Sequence, residues 1–449
     1  MIRRAHLALA VLLLLVARSA AAQPCADCLA AGAARVELRI PAGTPLAGYG
    51  STARRLLLPD VLGRYPHAFW FQPSRGERDP LAVRALVIES SGQRVAWASL
   101  DLLAVDQAFT ADVERGLAAA GVRPAALLLS ASHTHSGPGA YVDSAVLGWL
   151  AVDSLDRSVR AGLVDAAVSA LRQAAATVRP ARLAVAGVTA PPIVSSRVGR
   201  ALDAEMVVLK VAEPSGRAIA LVWNYAIHGT ALGPRNLRLS ADLMGEASRR
   251  LERELAAPVL FVNGAVGDVS PIRHGERAVA DLGAALAATA RDGWQGAEPV
   301  APGALAVGRR TIALPAPSLS AHNCLGGWLP RAVGLPLGSV FPRETTLTAL
   351  ALGDLGVVTI PGELQTSLGR GIKDAAAAMG LHRMMVGGLS NDYLGYFTTA
   401  ADYDRPSYVS CASLYGPQLG RCLAEAAAGV VGAVARARTA LTDRAGCDQ

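Results

Sequence analysis

The chain has 449 residues with a formal net charge of +7, and 52% of its residues are hydrophobic. Three of the positive charges are arginines among the first 18 residues, and the others are scattered without basic runs, so the charge pattern excludes the usual nucleic-acid-binding classes and we expect no nucleic-acid partner. No Ser/Gly-rich or charged linker divides the sequence, and we therefore expect one large domain over residues 23–449.

The first residues have the pattern of an export signal. Arg3 and Arg4 precede an apolar run at residues 7–16, and small residues follow up to Ala22. This pattern predicts a secretory signal peptide over residues 1–22, so the protein is expected to be secreted or periplasmic. No other stretch reaches the roughly 18 uninterrupted apolar residues of a membrane helix, and we expect no transmembrane segment.

Six cysteines follow the predicted signal peptide, an even number that allows disulfide bonds without fixing their pairing. They are Cys25, Cys28, Cys324, Cys411, Cys422 and Cys447. The spacing Cys25-x-x-Cys28 also occurs in redox and zinc pairs, but it lies next to the predicted cleavage site and no second pair has matching spacing. This pair is therefore a weak candidate for either role.

Short apolar runs alternate with helical periodicity along the rest of the chain. The runs predict strands at residues 36–40, 82–89, 94–100, 125–129, 182–188, 205–211, 218–225, 258–262, 356–360 and 384–388. Helices are predicted at residues 108–120, 154–177 and 240–255 and after residue 363, and residues 54–80 are predicted to form an irregular loop that carries several aromatic side chains. No internal sequence repeat is evident, and the alternation predicts a layered α/β domain with one mixed β-sheet and flanking helices.

The predicted strand at residues 125–129 leads into two histidines, His133 and His135. Alternate residues of an extended segment point the same way, so both imidazoles are expected to face one small volume beyond the sheet, where open α/β sheets usually bind ligands. Such a pair suits a metal ion and a proton carrier. The sequence Gly137-Pro138-Gly139 then predicts a tight exit that leaves backbone room for a substrate.

Other polar residues also follow predicted strands. They are His228, Asp268, Glu363 and Tyr396. A single histidine in such a place is more often a hydrogen-bonded structural residue than a ligand. Several of them, together with a glutamate in a Pro-Gly-Glu turn, favour a metal site, and His133, His228 and Glu363 can supply the three ligands of a catalytic zinc centre.

Two nearby residues are open to more than one interpretation. Asp268 is either a turn former or a group that orients a ligating histidine. Ser270 would be a nucleophile in a Gly-x-Ser-x-Gly elbow, but the sequence has no such elbow, so Ser270 either ends a strand or supports the site through hydrogen bonds. No His-Glu-x-x-His helix is present, and His-x-His alone is a weak signal for zinc.

Taken together, five motifs resemble those of the neutral/alkaline ceramidase family. In chain order they are Ser132-His133-Thr134-His135-Ser136-Gly137-Pro138-Gly139, Ile227-His228-Gly229-Thr230, Gly267-Asp268-Val269-Ser270-Pro271, Pro361-Gly362-Glu363, and Asn391-x-Tyr393-x-x-Tyr396-x-Thr398-Thr399. The agreement runs from about residue 36 to 441 and covers the N-terminal catalytic domain of that family, without the C-terminal immunoglobulin-like domain of its full-length members. The resemblance implies the fold of that catalytic domain and zinc-dependent hydrolysis of the N-acyl bond of ceramide.

The resemblance also implies roles for individual residues. The zinc ligands would be His133, His228, Glu363 and Tyr396. His135 would act as general base and then as general acid, while Arg197 and Tyr408 would hold the substrate carbonyl. Zinc lowers the pKa of a bound water to about 7, which supplies the nucleophile at neutral pH. Arg197 follows Ser195-Ser196 here, where the family usually has Asn-x-Asn.

These observations predict a secreted zinc amidohydrolase that acts on ceramide or a related N-acyl lipid, with peripheral contact to a membrane surface. Two alternatives are open: the same zinc site acting on a non-lipid N-acyl amide, and a secreted binding protein that has lost turnover. A pure binder needs no proton carrier, so the pair of His133 and His135 argues against the second. Apolar surface for an acyl chain would come from Trp70 and Phe71 or from residues 324–341, although these side chains are equally expected to pack internally.

Overall fold

The computed structural model describes residues 29–301, 303–437 and 441–447. The predicted signal peptide and the pair Cys25 and Cys28 lie outside these residues, and the predictions about them stay predictions. Within the described ranges, no helix is long and apolar enough to cross a membrane.

Three structural units of the same design follow one another along the described chain. Each unit has three antiparallel strands, a helix, a fourth strand, a second helix and a fifth strand. The first unit contains β1 (Ala30–Glu37), β2 (Ala82–Ser90), β3 (Gln93–Leu100), α1 (Gln107–Ala119), β4 (Ala126–Ala131), α2 (Arg157–Ala176) and β5 (Arg179–Pro180). The second contains β6 (Arg182–Thr189), β7 (Glu205–Ala212), β8 (Ala218–Tyr225), α3 (Asp242–Leu255), β9 (Val259–Asn263), α4 (Glu276–Gln295) and β10 (Glu298–Pro299). The third contains β11 (Ala306–Ala313), β12 (Glu344–Leu352), β13 (Leu355–Thr359), α5 (Thr366–Ala378), β14 (Arg383–Gly387), α6 (Leu419–Arg436) and β15 (Leu441–Gly446).

Short elements lie in the connections between these strands and helices. Three strand pairs are Val194–Ser196 with Val269–Pro271, Ser318–Ser320 with Gly334–Pro336, and Glu363–Leu364 with Tyr396–Phe397. The short helices are Ala145–Leu147, Gly148–Val152, Ala321–Cys324, Gly338–Val340, Ala400–Tyr403 and Tyr408–Cys411.

Each unit folds into one five-stranded sheet, and the three sheets have the same strand order. The orders are β4-β3-β2-β1-β5, β9-β8-β7-β6-β10 and β14-β13-β12-β11-β15. In each sheet the third and fourth strands of the unit are parallel, and a helix provides the crossover that a parallel pair needs. The prediction of a layered, mixed α/β fold is confirmed. The prediction of one sheet is wrong, because the chain forms three sheets with the same strand order and no recognisable sequence repeat. The fifth strand is antiparallel to its neighbour in the first two sheets and parallel in the third.

The sheets pack around a shared core, and the helices cover their outer faces. Trp97, Leu260 and Val357 are among the core residues that come from the first, second and third sheets. Side chains alternate between the two faces of each strand, so Ala96, next to Trp97, lies in the separate core under the first unit's helices. Because both faces are buried, the strands read as nearly continuous apolar runs, which explains why their positions are predictable.

Most predicted strands and helices match the structure to within a few residues, and the exceptions have physical causes. The first strand is predicted at residues 36–40, but β1 covers Ala30–Glu37. Its residues pair with β2 from Ala30 opposite Glu89 to Glu37 opposite Ala82. Helix α3 begins at Asp242 instead of residue 240. The strands β11 and β12 and the helices α4 and α6 are not predicted, so part of the third sheet is missing from the sequence-based description.

Two disulfide bonds occur among the described residues, and both lie in the third unit. Cys324 pairs with Cys411, which joins the segment at residues 318–340 to the short helix at residues 408–411. Cys422 pairs with Cys447, which joins α6 to the end of the described chain. Such links stabilise a fold mainly by restricting the unfolded chain.

A buried ion cluster joins the first two units close to the ends of their strands. The Arg84 side chain on β2 donates to Asp101, directly after β3, at 2.8 Å, and to Glu252 on α3 at 2.6 Å. Arg84 and Asp101 are 1% and 3% exposed. A buried charge pair adds little net stability by itself, but removal of one partner leaves the other unpaired in a low-dielectric interior.

We predict that Arg84→Ala destabilises the protein by about 3–5 kcal/mol, because Asp101 is left buried without its cation. Urea unfolding followed by circular dichroism measures this change in free energy. Arg217→Ala is the matched control, since Arg217 pairs with Glu213 while its side chain is 73% exposed, and such a pair contributes at most about 1 kcal/mol. Equal destabilisation by both changes would contradict the structural role of the buried cluster.

Candidate metal centre

The three units meet at the ends of their parallel strand pairs, and backbone hydrogen bonds fix how they meet. The His135 amide, after β4, donates to the Gly229 carbonyl, after β8, at 2.9 Å. The Gly267 amide, after β9, donates to the Leu364 carbonyl, after β13, at 2.9 Å. Each contact joins loops from two different units, so the loops have little freedom to move apart.

A side chain closes the third junction. Asn391, after β14, accepts a hydrogen bond from the Leu129 amide at 2.7 Å and donates to the Leu127 carbonyl at 2.9 Å. Asn391 thereby replaces part of a strand partner at the free edge of β4. Asn391 has a positive φ of 66°, a conformation in which asparagine is over-represented.

His133 lies at a sharp turn and not in an extended segment. Its φ is +66°, in the left-handed region that few residues other than glycine adopt. The predicted convergence of His133 and His135 is therefore observed, but the predicted cause, alternation along an extended strand, is wrong. The His133 Nδ1 lies 2.8 Å from the Leu103 carbonyl, which fixes the ring and leaves Nε2 directed into the site.

Three imidazoles meet where the units join. The Nε2 atoms of His133 and His135 are 3.3 Å apart, and the ring centroids of His133 and His228 are 4.6 Å apart. All three rings are buried, and one nitrogen from each lies within 4.8 Å of the others. His133 and His135 come from the first unit and His228 comes from the second, so residues far apart in the sequence lie close together in space.

A carboxylate from the third unit completes the cluster. Glu363 has one oxygen 3.0 Å from His228 Nε2 and the other 3.4 Å from His133 Nε2. Tyr393 donates its hydroxyl proton to Glu363 at 2.8 Å. The Tyr396 hydroxyl lies 3.4 Å from His228 Nε2. The structure therefore brings together all four residues that the resemblance gives as ligands, and it adds Tyr393, which no sequence argument had singled out for a role.

Burial and charge keep His228, His135 and Glu363 in the protonation states that suit a metal site. Burial, with Arg197 nearby, lowers the pKa of His228 to about 3. Burial and the neighbouring histidines lower the pKa of His135 well below its usual value. Burial alone would raise the pKa of Glu363, but the two histidines beside it hold that pKa well below its usual range. Neutral imidazoles and an ionised carboxylate are the forms that bind a cation.

Three of the separations between the donor atoms are close to those around a tetrahedral metal ion. Ligand atoms at 2.0–2.2 Å from a tetrahedral zinc lie about 3.3–3.6 Å from one another. The distances from His228 to Glu363 and Tyr396 and from His133 to Glu363 are 3.0–3.4 Å. One Glu363 oxygen is also buried without a hydrogen-bond donor, which is costly for a carboxylate in the absence of a cation. These residues therefore fit a transition-metal ion.

The two predicted carbonyl-binding residues lie at the edge of this cluster. Arg197 Nη1 is 3.2 Å from the Tyr396 hydroxyl, and Arg197 Nε donates to Ser270 at 2.7 Å. The ring of Tyr408 is 5.7 Å from that of Tyr396, and Tyr408 is 67% exposed. Ser270 thus supports the site through a hydrogen bond, which is one of the two interpretations of that residue.

Asp268 does not orient a ligating histidine, which was one of the two interpretations of this residue from the sequence. Its carboxylate accepts hydrogen bonds from both the amide and the hydroxyl of Thr366, at 2.8 and 2.7 Å. Thr366 is the first residue of α5 and follows the Glu363 turn. Asp268 therefore fixes the turn that delivers Glu363 and acts across the junction between the second and third units.

A cleft of about 590 Å³ opens beside the cluster, and Tyr49 and Arg197 form part of its wall. The ring centroids of Tyr49 and His135 are 4.8 Å apart. Gly48 precedes this tyrosine with a φ of +102°, and a Cβ at Gly48 would lie only 2.7 Å from the His135 ring. Only glycine fits there, so Gly48 and Tyr49 are further site residues, which the sequence pattern at residues 46–50 did not reveal.

Part of this sequence is similar to the sequences of known ceramidases. The model of the family "Neutral/alkaline non-lysosomal ceramidase, N-terminal" matches residues 67–283. Neutral ceramidase from Pseudomonas aeruginosa is 28% identical over 199 residues, which are 40% of this chain and 29% of that protein. Neutral ceramidase 1 from Arabidopsis thaliana is 29% identical over 214 residues, 41% of this chain and 27% of that protein. The matched segments thus span less than a third of these relatives.

Solved structures extend the likeness to nearly the whole chain. The crystal structure of neutral ceramidase from Pseudomonas aeruginosa aligns with a TM-score of 0.79 at 20% identity, over 94% of this chain and 77% of that one. A structure described as ceramidase complexed with C2 aligns with a TM-score of 0.78 at 20% identity, over 91% and 75% of the two chains. The predicted relation to the neutral/alkaline ceramidases is confirmed, and the fold is that of their solved structures.

We predict that the purified protein holds one transition-metal ion per chain. His133→Ala is expected to remove the ion, because it deletes a donor at the centre of the cluster, whereas His135→Ala is expected to retain it. Elemental analysis after dialysis against a weak chelator measures the stoichiometry of both variants. A metal-free wild-type protein would contradict the metal site, and loss of the ion in His135→Ala would make that residue a ligand.

Proposed function

We propose that this chain, which is related in sequence and fold to the neutral/alkaline ceramidases, is a zinc-dependent amidase that hydrolyses the N-acyl bond of ceramide or a related N-acyl lipid. The observation that carries the proposal is the buried convergence of His133, His228, Glu363 and Tyr396, in which three donor-atom separations are 3.0–3.4 Å. A bound zinc ion would supply an activated water and polarise the amide carbonyl. We further propose that the protein is secreted or periplasmic.

His135 is the proton carrier in this proposal. Its Nε2 faces the cluster, 3.3 Å from His133 Nε2, and its lowered pKa keeps the ring neutral, with a nitrogen lone pair available. His135 takes a proton from the attacking water and returns it to the amide nitrogen as the C–N bond breaks, which releases an amine and a carboxylic acid. The Tyr49 ring packs against His135 and limits its movement.

Arg197 and Tyr408 bind the carbonyl oxygen in this proposal. The Arg197 guanidinium is already directed toward the cluster by Ser270 and Tyr396, so it needs little reorganisation to meet the developing negative charge. Tyr408 is exposed, and its side chain hydrogen-bonds to that of Tyr396, which holds it next to the cluster on the open side of the site. The Cys324–Cys411 disulfide lies at the end of the short helix that carries Tyr408 and supports its position.

Two groups of exposed apolar side chains support a lipid substrate and a peripheral contact with a membrane surface. One group lies in the loop at residues 57–62, where Leu57, Leu58, Val61 and Leu62 are 72–99% exposed. This loop follows Arg54, whose Nε donates to the Pro234 carbonyl at the wall of the cleft. Such clustered exposure is unusual unless a partner or lipid covers the surface.

The second group lies in the segment at residues 325–340, which the Cys324–Cys411 disulfide ties to the helix of Tyr408. Trp328 is 73% exposed and Leu335 is 62% exposed. This segment falls within residues 324–341, one of the two apolar stretches considered from the sequence. In the other stretch, Phe71 is 1% exposed and packs internally.

The two rival functions differ from the proposal in what they require of the site. A non-lipid amide would need the cleft but not the exposed apolar loops. A binding protein without turnover would need the metal ligands but not His135, whose ring is buried in the cluster and held by the Tyr49 contact.

We predict that the zinc-loaded protein releases free amine from a fluorescent N-acyl sphingosine and that His135→Ala lowers the rate about 100-fold or more, since general acid–base catalysis contributes at least that factor. His382→Ala is the matched control, because His382 is an exposed histidine next to β14. Amine release is measured by chromatography under initial-rate conditions.

Two results would count against this proposal. Full activity in His135→Ala would contradict the assigned proton carrier. Absence of turnover in a wild-type protein with stoichiometric zinc would exclude ceramide and favour a shorter or more polar amide.

A further inference from the structure

The two carboxylate oxygens of Glu363 have different surroundings. Oε1 accepts a hydrogen bond from the Tyr393 hydroxyl at 2.8 Å. Oε2 is buried, has no hydrogen-bond donor among the described residues, and lies 3.0 Å from His228 Nε2. A buried carboxylate oxygen without a donor is costly unless a cation binds to it. Oε2 is therefore the oxygen that is left for a metal ion, whereas Oε1 already has a partner.

The Tyr393 ring packs against a small apolar cluster where the three units meet. The members of this cluster are Ala131, Ala226, Val266, Val269 and Leu389. Ala131 ends β4, Ala226 follows β8 and Leu389 follows β14, so every unit contributes to the contact. The position of the Tyr393 ring, and with it the position of the hydroxyl, is therefore set by packing at the junction.

Backbone hydrogen bonds fix the loop that carries Tyr393 relative to the turn that carries Glu363. The Leu394 amide donates to the Pro361 carbonyl at 2.9 Å. The Glu363 amide donates to the Gly395 carbonyl, also at 2.9 Å. These two bonds lie on either side of the hydrogen bond between the side chains. The Tyr393 hydroxyl and the Glu363 carboxylate are thus parts of one rigid arrangement.

Asp392 anchors the same loop on its other side. Its carboxylate accepts a hydrogen bond from the Tyr393 amide at 2.8 Å and another from the hydroxyl of Thr345, on β12, at 2.8 Å. Asp392 is only 2% exposed, so these bonds compete little with water. Tyr393 is therefore held through its ring and through its backbone.

We infer that Tyr393 is a positioning residue of the metal centre: its hydroxyl holds Oε1 of Glu363, so that the carboxylate binds the ion through Oε2 alone. This inference rests on the zinc site of the proposed function. Carboxylates that bind a metal are themselves hydrogen-bonded, and these partners orient the ligand. Binding through one oxygen limits the protein to four donor atoms, which leaves a position for a water or a substrate oxygen when zinc takes five ligands.

The zinc affinity of Tyr393→Phe tests the inference without any turnover. The change removes one hydroxyl and keeps the ring that packs at the junction. We expect the dissociation constant for zinc, measured by competition with a chromophoric chelator, to rise about tenfold or more, because hydrogen-bond partners of metal ligands typically contribute at least that factor.

Tyr415→Phe is the matched control. Tyr415 is a buried tyrosine of the third unit, and its hydroxyl donates to the Pro342 carbonyl at 2.8 Å. This variant loses the same group and is expected to bind zinc as tightly as the wild type. Thermal unfolding of the metal-free proteins measures stability separately. Loss of stability in metal-free Tyr393→Phe with unchanged zinc affinity would make Tyr393 merely structural and would overturn the inference.

A crystal structure of the zinc-loaded wild-type protein identifies the oxygen that binds the ion. We expect Oε2 of Glu363 at about 2.0–2.2 Å from zinc, with Oε1 still bonded to Tyr393. Zinc bound by Oε1, or by both oxygens, would contradict the inference.

These measurements also separate the inference from the proposed function. A protein that shows this geometry and the weaker zinc binding of Tyr393→Phe, but hydrolyses no N-acyl lipid, would keep the inference and overturn the proposed function. An active amidase in which Tyr393→Phe binds zinc as tightly as the wild type would keep the proposed function and overturn the inference.

Discussion

The structure depends on one buried carboxylate, that of Glu363, which lies between the imidazoles of His133 and His228. A carboxylate at 1% exposure is stable only if positive charge or hydrogen-bond donors compensate for its loss of water. Tyr393 supplies one donor, and one oxygen has none. Burial keeps the His228 imidazole neutral, so it brings no full positive charge to the carboxylate. A bound metal ion would compensate the negative charge of this carboxylate. The loops that meet here hold the donor atoms close together.

The threefold repetition of one strand order explains how such a site arises. Each unit ends its parallel strand pair at the same place, and the loops beyond those ends carry the donors: His133 from the first unit, His228 from the second, and Glu363 and Tyr396 from the third. The junctions are made of backbone hydrogen bonds and of Asn391 and Asp268, which touch no metal donor. A change at those two residues therefore acts on the site only by moving the loops that carry the donors.

Sequence patterns predict the inner strands well because each is buried on both faces, as Trp97 and Ala96 on β3 illustrate. Sequence patterns also identify the polar residues that converge at the metal cluster, because histidines and a glutamate directly after apolar strands are unusual. In the third sheet, β13 and β14 are predicted, but β11 is missed because it contains Arg309 and Arg310, whose polarity interrupts the apolar run. The turn at His133, the contact of Tyr49 with His135 and the role of Tyr393 depend on tertiary packing, and no spacing in the sequence encodes them.

Anomalous diffraction at the zinc absorption edge, from crystals of the purified protein, tests the central claim most directly. We expect a single strong peak about 2 Å from His133 Nε2, His228 Nε2 and a Glu363 oxygen. His135 should lie beside that peak without bonding to the ion, with the Tyr396 hydroxyl in the fourth position. A map without a peak among these residues, or a peak bound by all three histidines with Glu363 turned away, would contradict the account.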